Sequence, residues 1–347
     1  MVWNESVPIR DYYSTGQIVV AVSLGLICLP GLVCNFLLMT VIIREKLYKS
    51  QQAVIYSFIL NLFVSDTIQL LIIPVYLVPS SAAGSWLLPE GYRWISGYVV
   101  NLAWYHMLFM LNTVAINRYL SVCKQHTAAR LFTIRTTKWI NLSSWIVSIL
   151  LATVRRLLPC CRLMLWYRVY SYAYFGRGRN IADWTIDLPA NSLTSIVIIY
   201  CYSQILYHLR SHIRNHTTSL SQGMQNHRRQ QELRFAQQFF CISLVFLLSW
   251  IPFRLFPPVE KAPVMKPYAI ITVLVIANSS INGLLYLRYN EILRQKTWDL
   301  LLYCYCTSCS GTRVRLGRET PRQLTARDRT DPAETGRLVI TAGESSP

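Results

Sequence analysis

The chain has 347 residues, of which 53% are hydrophobic and only 14% are charged, and its formal net charge is +18. Soluble domains carry about 25% charged residues, so this composition excludes an ordinary soluble fold and favours a membrane protein. A nucleic-acid-binding protein clusters its basic residues on one face. Here Lys and Arg lie between apolar runs and in the C-terminal tail, so no nucleic-acid partner is expected.

A membrane-spanning helix needs about 20 apolar residues in succession. Such runs occur at 17–43, 53–78, 94–117, 139–158, 187–208, 235–258 and 267–287. They predict an all-α membrane protein built as a bundle of seven transmembrane helices. Lys and Arg are sparse before the first run and frequent directly after it, which predicts an N-terminus outside the cell. We therefore expect a multi-pass protein of the plasma membrane.

The composition divides the chain into four segments. Residues 1–16 are predicted to form an extracellular tail with a glycosylation acceptor at Asn4, and residues 17–290 form the seven-helix domain. Residues 291–309 predict a short amphipathic eighth helix along the inner leaflet, followed by a cysteine cluster. Residues 310–347 are polar and poor in aromatic residues, which predicts a disordered cytoplasmic tail.

Three cysteines, Cys304, Cys306 and Cys309, end the amphipathic segment. Cysteines next to a membrane are typical palmitoylation sites, so membrane lipid is an expected partner. A metal knuckle is the alternative, but a closed zinc site needs four ligands and no histidine lies near in the sequence.

Two charged residues stand out within the apolar runs. Asp66 lies near the middle of the second run, where an aspartate costs about 2.5–3.5 kcal/mol to insert. Its candidate partners are Asn35, Asn278 and Asn282, and internal water is the alternative. Arg118 closes the third run. Taken alone, it could extend its side chain to the membrane surface.

The second outer loop, about 159–186, contains several arginines among many aromatic residues. Two interpretations stay open for this loop. It forms either a folded lid over the bundle or a ligand-facing surface that attracts an acidic molecule.

These residues carry a resemblance to a known family. Asn35, Asp66, Arg118 in INRYLSV, Trp145, the Trp250-Ile251-Pro252 triplet and NSSINGLLY at 278–286 follow one another as in the rhodopsin-like (class A) G-protein-coupled receptors. The chain resembles that family over about 17–305. The basic stretch RRQQELRFAQQF and the INR triplet are similar to nematode serpentine chemoreceptor-type families, and a peptide-receptor type is the alternative.

The resemblance implies an activation switch at the inner ends of the helices. In the resting state Arg118 would pair with Glu232, a weak ion pair of about 1 kcal/mol. On activation Arg118 would turn toward a heterotrimeric G protein, while Tyr202 and Tyr286 turn inward. Pro252 would kink the sixth helix and act as its hinge.

The resemblance also places a ligand pocket in the outer half of the bundle. Its candidate residues are Val100, Asn101, Trp104 and Trp250, with Phe246 one turn below Trp250. Val100 replaces the aspartate of amine receptors, which argues against a monoamine. The expected ligand is a short peptide or a small acidic or apolar molecule. His106 either lines the pocket or belongs to the helix core.

A sodium site on Asp66, Asn278 and Asn282 is implied by the family, although Met107 replaces the expected serine on the third helix. Other departures affect the switch and the outer loop. Asn117 replaces the acid before Arg118, which removes one restraint, and Gly283 replaces a proline. Arg93 replaces the cysteine of the family's loop disulfide, so Cys160 and Cys161 lack that partner.

Other function classes fit the sequence less well. An enzyme is not expected, because there is no GxSxG elbow, HExxH helix or glycine-rich phosphate loop, and no cofactor is implied. A transporter or channel would explain Asp66 but not Glu232, Trp250 and NGLLY in their order. A divergent receptor that does not couple is the second alternative. The Ser- and Thr-containing tail predicts arrestin as a partner after phosphorylation.

Overall fold

The computed structural model describes residues 15–50, 52–72, 75, 78–79, 89–158, 162–166, 171–175, 183–215, 223–255 and 266–310. Its helices are α1 Thr15–Arg44, α2 Ala53–Ile72, α3 Glu90–Cys123, α4 Gln125–Leu131, α5 Ile134–Leu157, α6 Leu188–Asn215, α7 Gly223–Leu255, α8 Lys266–Tyr289 and α9 Glu291–Ser310. The described elements also include a 3-10 turn at Leu47–Lys49, a π turn at Asp183–Asp187, and the strands β1 Arg162–Trp166 and β2 Ser171–Phe175.

Seven of the helices are long and apolar enough to cross a membrane, namely α1, α2, α3, α5, α6, α7 and α8. They confirm the predicted seven-helix bundle. The helices and the apolar runs do not end at the same residues. In particular, α3 continues to Cys123, so Arg118 lies inside the helix and does not close it.

The start of α5 shows why a helix can begin before its apolar run. The predicted run starts at 139, whereas the helix starts at Ile134. Thr133 caps this helix: its hydroxyl oxygen accepts a hydrogen bond from the Thr136 amide at 3.2 Å, and its own amide donates to the Thr136 hydroxyl oxygen at 2.8 Å. This reciprocal pair satisfies two amides that would otherwise lack partners and fixes the first turn in a polar region.

The central helix of the bundle is α3, which packs against α2, α5, α6 and α7. It runs parallel to α6 in a constant register. Side-chain contacts join the two helices at the outer end, the middle and the inner end, with sequence offsets of 82, 82 and 81 positions. The contacting pairs are Tyr105–Asp187, Asn112–Thr194 and Cys123–Gln204.

Two glycines allow α1 and α8 to approach closely. A β-carbon added at Gly283 would lie 2.8 Å from the sulfur of Cys34 and 2.9 Å from the side-chain oxygen of Asn35. A β-carbon at Gly31 would lie 2.4 Å from the hydroxyl of Ser280. The glycine that replaces the expected proline on the last spanning helix is therefore required by the packing.

Residues between α5 and α6 include an antiparallel hairpin in which Arg162 pairs with Phe175 and Trp166 with Ser171. Strand β1 lies beside α3. This local structure agrees with a folded outer loop.

The chain divides into two compact units, Met1–Leu300 and Leu301–Pro347, and the seven-helix bundle belongs to the first of them. The helix α9 occupies the predicted eighth-helix segment. Its Leu293 and Thr297 are buried whereas Trp298 is exposed. An exposed tryptophan on a helix that follows the last span fits the membrane surface.

Candidate functional site

Arg118 lies at the inner end of α3 with only 3% of its surface exposed. Its guanidinium donates hydrogen bonds to the side-chain oxygen of Asn117, one of them from Nε at 3.2 Å. Its carbon Cζ lies 5.7 Å from the ring centroid of Phe235 on α7. Asn117 lacks the negative charge of the acid that it replaces, which is the restraint expected to be lost, but its amide oxygen still accepts hydrogen bonds from Arg118.

The predicted partner Glu232 lies on α7, one turn before Phe235, but its side chain lies outside the described residues. The ion pair with Arg118 stays a prediction. Sequence reasoning missed Phe235, although residues three positions apart share a face of a helix. Positions 232 and 235 therefore lie on the same face of α7, and a partner for Arg118 at the first predicts a neighbour at the second.

The two switch tyrosines are buried against the inner half of α7. Tyr286 on α8 contacts Phe239 at a centroid distance of 5.8 Å and Phe63 on α2 at 4.8 Å. Tyr202 on α6 contacts Phe240 at 5.5 Å. Edge-to-face packing of this kind stabilises the pairs beyond their apolar burial.

Three helices, α3, α6 and α8, thus each contribute one switch residue that packs against α7. These residues are Arg118, Tyr202 and Tyr286. Their partners there are Phe235 and, one turn further along the inner half, the adjacent residues Phe239 and Phe240. The structure therefore places Arg118, Tyr202 and Tyr286 against the same part of α7, through aromatic rings that the sequence reasoning did not name. The inward turn of the two tyrosines on activation stays a prediction.

Trp250, which lies two residues before the predicted hinge Pro252, contacts both another residue of α7 and a predicted pocket residue. Trp250 packs on Phe246 at 6.1 Å and on Trp104 of α3 at 5.3 Å. Phe246 is fully buried. Pro252 is part of α7, but its side chain lies outside the described residues.

The other pocket candidates lie about one turn above Trp104 on α3. Val100 and Asn101 are half-buried there. His106 is fully buried and stacks on Trp145 of α5 at 3.8 Å. It therefore belongs to the helix core, which was one of the two expectations for it.

Asp66 is fully buried and accepts a hydrogen bond from the amide of Asn282 at 2.8 Å. Asn35 donates to the backbone oxygen of Ser279 at 3.4 Å. The first contact joins α2 to α8 and offsets part of the free-energy cost of burying Asp66 in the membrane, and the second joins α1 to α8.

The sodium site that the family implies stays a prediction. Asp66, Asn278 and Asn282 each keep a buried side-chain oxygen without a hydrogen-bond partner, but on α3 the sulfur of Met107 accepts the hydrogen bond of the Asn278 amide at 3.7 Å. A hard cation is held by oxygen ligands, and a thioether is a soft ligand. Among the described residues there is also no group of three or more His, Cys, Asp or Glu side chains able to hold a metal.

A further polar cluster near the outer end was missed by the sequence reasoning. Arg155 on α5 forms a buried ion pair with Asp187, the residue directly before α6, and Tyr105 on α3 donates a hydrogen bond to Asp187. The signal was present, since Asp187 begins the fifth run and Arg155 lies near the end of the fourth.

The remaining predicted modification sites cannot be placed. Asn4, Cys160 and Cys161 lie outside the described residues. The cysteines of the C-terminal cluster belong to α9, but their side chains are also outside that part of the chain. They are Cys304, Cys306 and Cys309. Glycosylation and palmitoylation stay predictions.

A bundle of seven spanning helices with a buried arginine at the inner end of its central helix and a buried acid on α2 defines a seven-transmembrane receptor. Residues 26–290 match the family of serpentine type 7TM GPCR chemoreceptors, Srx. The chain belongs to this family of G-protein-coupled receptors.

Individual receptors are also similar to this chain. Somatostatin receptor type 2 of Mus musculus is 25% identical over 319 residues, which cover 86% of this chain and 81% of that receptor. Chemokine XC receptor 1 of Homo sapiens is 26% identical over 238 residues, which cover 66% of this chain and 61% of that receptor.

The protein is accordingly a multi-pass plasma-membrane receptor that binds an extracellular ligand and has a G protein as its partner. Its family is one of receptors and not of enzymes. The comparisons do not favour the transporter or channel reading.

Proposed function

We propose that ligand binding releases the inner half of α7 from its contacts with α3, α6 and α8, so that this half swings outward and Arg118 meets a heterotrimeric G protein. One observation carries the proposal. Arg118, Tyr202 and Tyr286, from three different helices, all pack on the aromatic residues of this one segment.

The proposed motion needs contacts that hold α7 at rest but can be exchanged. A cation–π contact contributes about 0.5–1 kcal/mol at an exposed site and about 2 kcal/mol when desolvated. Aromatic pairs contribute about 0.5–1.5 kcal/mol each. These are small free energies compared with a full helix interface, and a ligand with modest preference for the active state can overcome their sum.

The ligand would act through Trp104 and Trp250. Trp104 is one of the pocket candidates on α3, and its ring contacts that of Trp250 directly. Trp250 lies two positions before Pro252, where the helix lacks a backbone hydrogen bond. Displacement of Trp250 by a ligand would therefore be transmitted to the flexible point of α7.

For the ligand we propose a short peptide, with a small acidic or apolar molecule as the second candidate. The similarity to receptors for somatostatin and a chemokine supports a peptide. The arginines of the second outer loop support acidic character. Val100 removes the carboxylate that would bind an amine.

Arrestin and membrane lipid complete the proposed partners. The tail beyond 310 contains Ser and Thr residues that a kinase could phosphorylate for arrestin binding. The exposed Trp298 on α9 and the three cysteines after it support attachment of this helix to the inner leaflet.

The test is basal G-protein activation in a heterologous cell at matched surface expression. The variants are Glu232→Ala and Arg118→Ala, and Leu150→Ala, on the exposed face of α5, is the control. We expect Glu232→Ala to raise the signal, Arg118→Ala to abolish it and the control to match the wild type. Flat signals from all forms at the cell surface would instead support a divergent receptor that does not couple.

A further inference from the structure

The outer half of the bundle contains an ion pair that the switch does not use. The side chains of Arg155 and Asp187 are 4% and 5% exposed. By contrast, the ion pairs Arg234–Glu291 and Lys296–Glu45 are exposed. A buried ion pair is retained only where its geometry and its additional hydrogen bonds compensate for lost hydration.

Asp187 has such an additional partner. The hydroxyl of Tyr105 on α3 donates to one carboxylate oxygen, while Arg155 contacts the other. The backbone oxygen of Asp187 accepts from the side-chain amide of Asn191 at 3.1 Å. One carboxylate thus joins three helices, α3, α5 and α6.

The positions of Arg155 and Asp187 in the sequence show which segment their ion pair encloses. Arg155 lies near the end of α5, and Asp187 directly precedes α6. The second outer loop, about 159–186, lies between them in the sequence, and its strand β1 lies beside α3. The ion pair therefore closes the base of this loop, and Tyr105 attaches the closed base to α3.

We propose that Arg155, Asp187 and Tyr105 form a non-covalent anchor that fixes the second outer loop to α3 without a disulfide. No cysteine occurs between Cys34 and Cys123, so α3 offers no thiol at its outer end. The anchor adjoins the predicted pocket, because Tyr105 directly follows the pocket candidate Trp104 and their rings lie 4.9 Å apart. This inference does not depend on coupling to a G protein.

The anchor has a physical signature that differs from that of a disulfide. It does not respond to reducing agents. Because it is buried, it is also screened little by added salt. Removal of one charge leaves the other buried without its opposite charge, whereas removal of both does not, so the two substitutions are strongly non-additive.

The first experiment measures the thermal midpoint of the full-length receptor in detergent with and without reductant. The variants are Arg155→Ala, Asp187→Ala, the double alanine variant and the charge exchange Arg155→Asp/Asp187→Arg. Arg156→Ala, an exposed neighbour, is the matched control. We expect each single variant to lose several degrees, the double variant to lose no more than the worse single one, and the exchange to recover part of the loss.

Two results would overturn the anchor. Losses that simply add in the double variant would show that Arg155 and Asp187 act separately. A wild-type midpoint that falls with reductant, and that no longer does so after Cys160→Ser and Cys161→Ser, would show that a disulfide holds the loop instead.

The second experiment separates the anchoring of the loop from general stability. Tyr105→Phe keeps the ion pair and the ring but removes the link to α3. We expect amide hydrogen exchange in the hairpin 162–175 to rise at least tenfold, while the global midpoint changes by less than that of either charge variant. Unchanged exchange in the hairpin would refute the role of Tyr105.

Discussion

The guanidinium of Arg118 lies over the ring of Phe235, 5.7 Å from its centroid, at the inner end of the bundle. The same ring meets Tyr56 of α2 edge to face at 6.5 Å. Phe235 is therefore held between a cation on α3 and an aromatic residue on α2, and α7 cannot move outward without breaking both contacts.

Substitution of Phe235 by Leu should raise basal G-protein activation. Leucine keeps the apolar bulk but removes the ring quadrupole that attracts Arg118, a loss of about 1 kcal/mol, or about fivefold in the ratio of active to resting receptor. Phe235→Trp should lower the basal signal, since tryptophan is the stronger cation–π partner. Equal signals from both variants would show that the cation–π contact with Arg118 does not stabilise the resting state.

Restoring a carboxylate before Arg118 should strengthen the resting state. In Asn117→Asp, the hydrogen bonds from Arg118 become charge-assisted and about twice as strong as those to the amide. Basal signalling and its response to added G protein should both fall severalfold. Asn117→Ala, which removes the acceptor, should move the signal in the opposite direction. A rise for both variants would contradict the restraint by Asn117.

Gly283→Ala should destabilise the receptor by about 1–3 kcal/mol, because the new methyl group meets Cys34 and Asn35 well inside contact distance. The thermal midpoint in detergent measures this loss. Gly25→Ala is the matched control, since a β-carbon there has nothing within 4 Å. Removal of one clashing atom in the double variant Gly283→Ala/Cys34→Ala should restore part of the stability. Equal midpoints for Gly283→Ala and Gly25→Ala would disprove the close approach of α1 and α8.

Sodium should not specifically stabilise the wild-type receptor, because α3 contributes the sulfur of Met107 where an oxygen ligand is needed. The thermal midpoint should be the same in sodium chloride and in choline chloride. Met107→Ser replaces the sulfur that faces Asn278 with a hydroxyl oxygen, and should make the midpoint depend on sodium. A sodium-dependent wild type would reverse this conclusion.

The sequence was a good guide to the helices and to the positions of the switch residues. Apolar runs of spanning length predict helices reliably, and the order of Asp66, Arg118 and Trp250 identifies where each lies along its helix. Helix ends were less well predicted, since caps such as Thr133 and Thr136 extend a helix into polar sequence.

The contacts between helices could not be predicted in the same way. Phe235 is one phenylalanine among several in its run, and only the packing of α3 against α7 gives it a cation as a neighbour. Arg155 and Asp187 belong to different runs, and each alone resembles an interfacial charge. Their pairing depends on the register between helices, which local sequence does not encode.

The constant register between α3 and α6 has a consequence for the inner surface of the receptor. Their contacting pairs keep nearly the same offset from the outer to the inner end, so sliding one helix along the other would break every contact at once. These two helices should therefore behave as one rigid wall of the cavity that receives an intracellular protein, and α7 as its movable wall. Selectivity among G proteins would then be determined largely by the rigid wall, which would keep its shape while α7 moves.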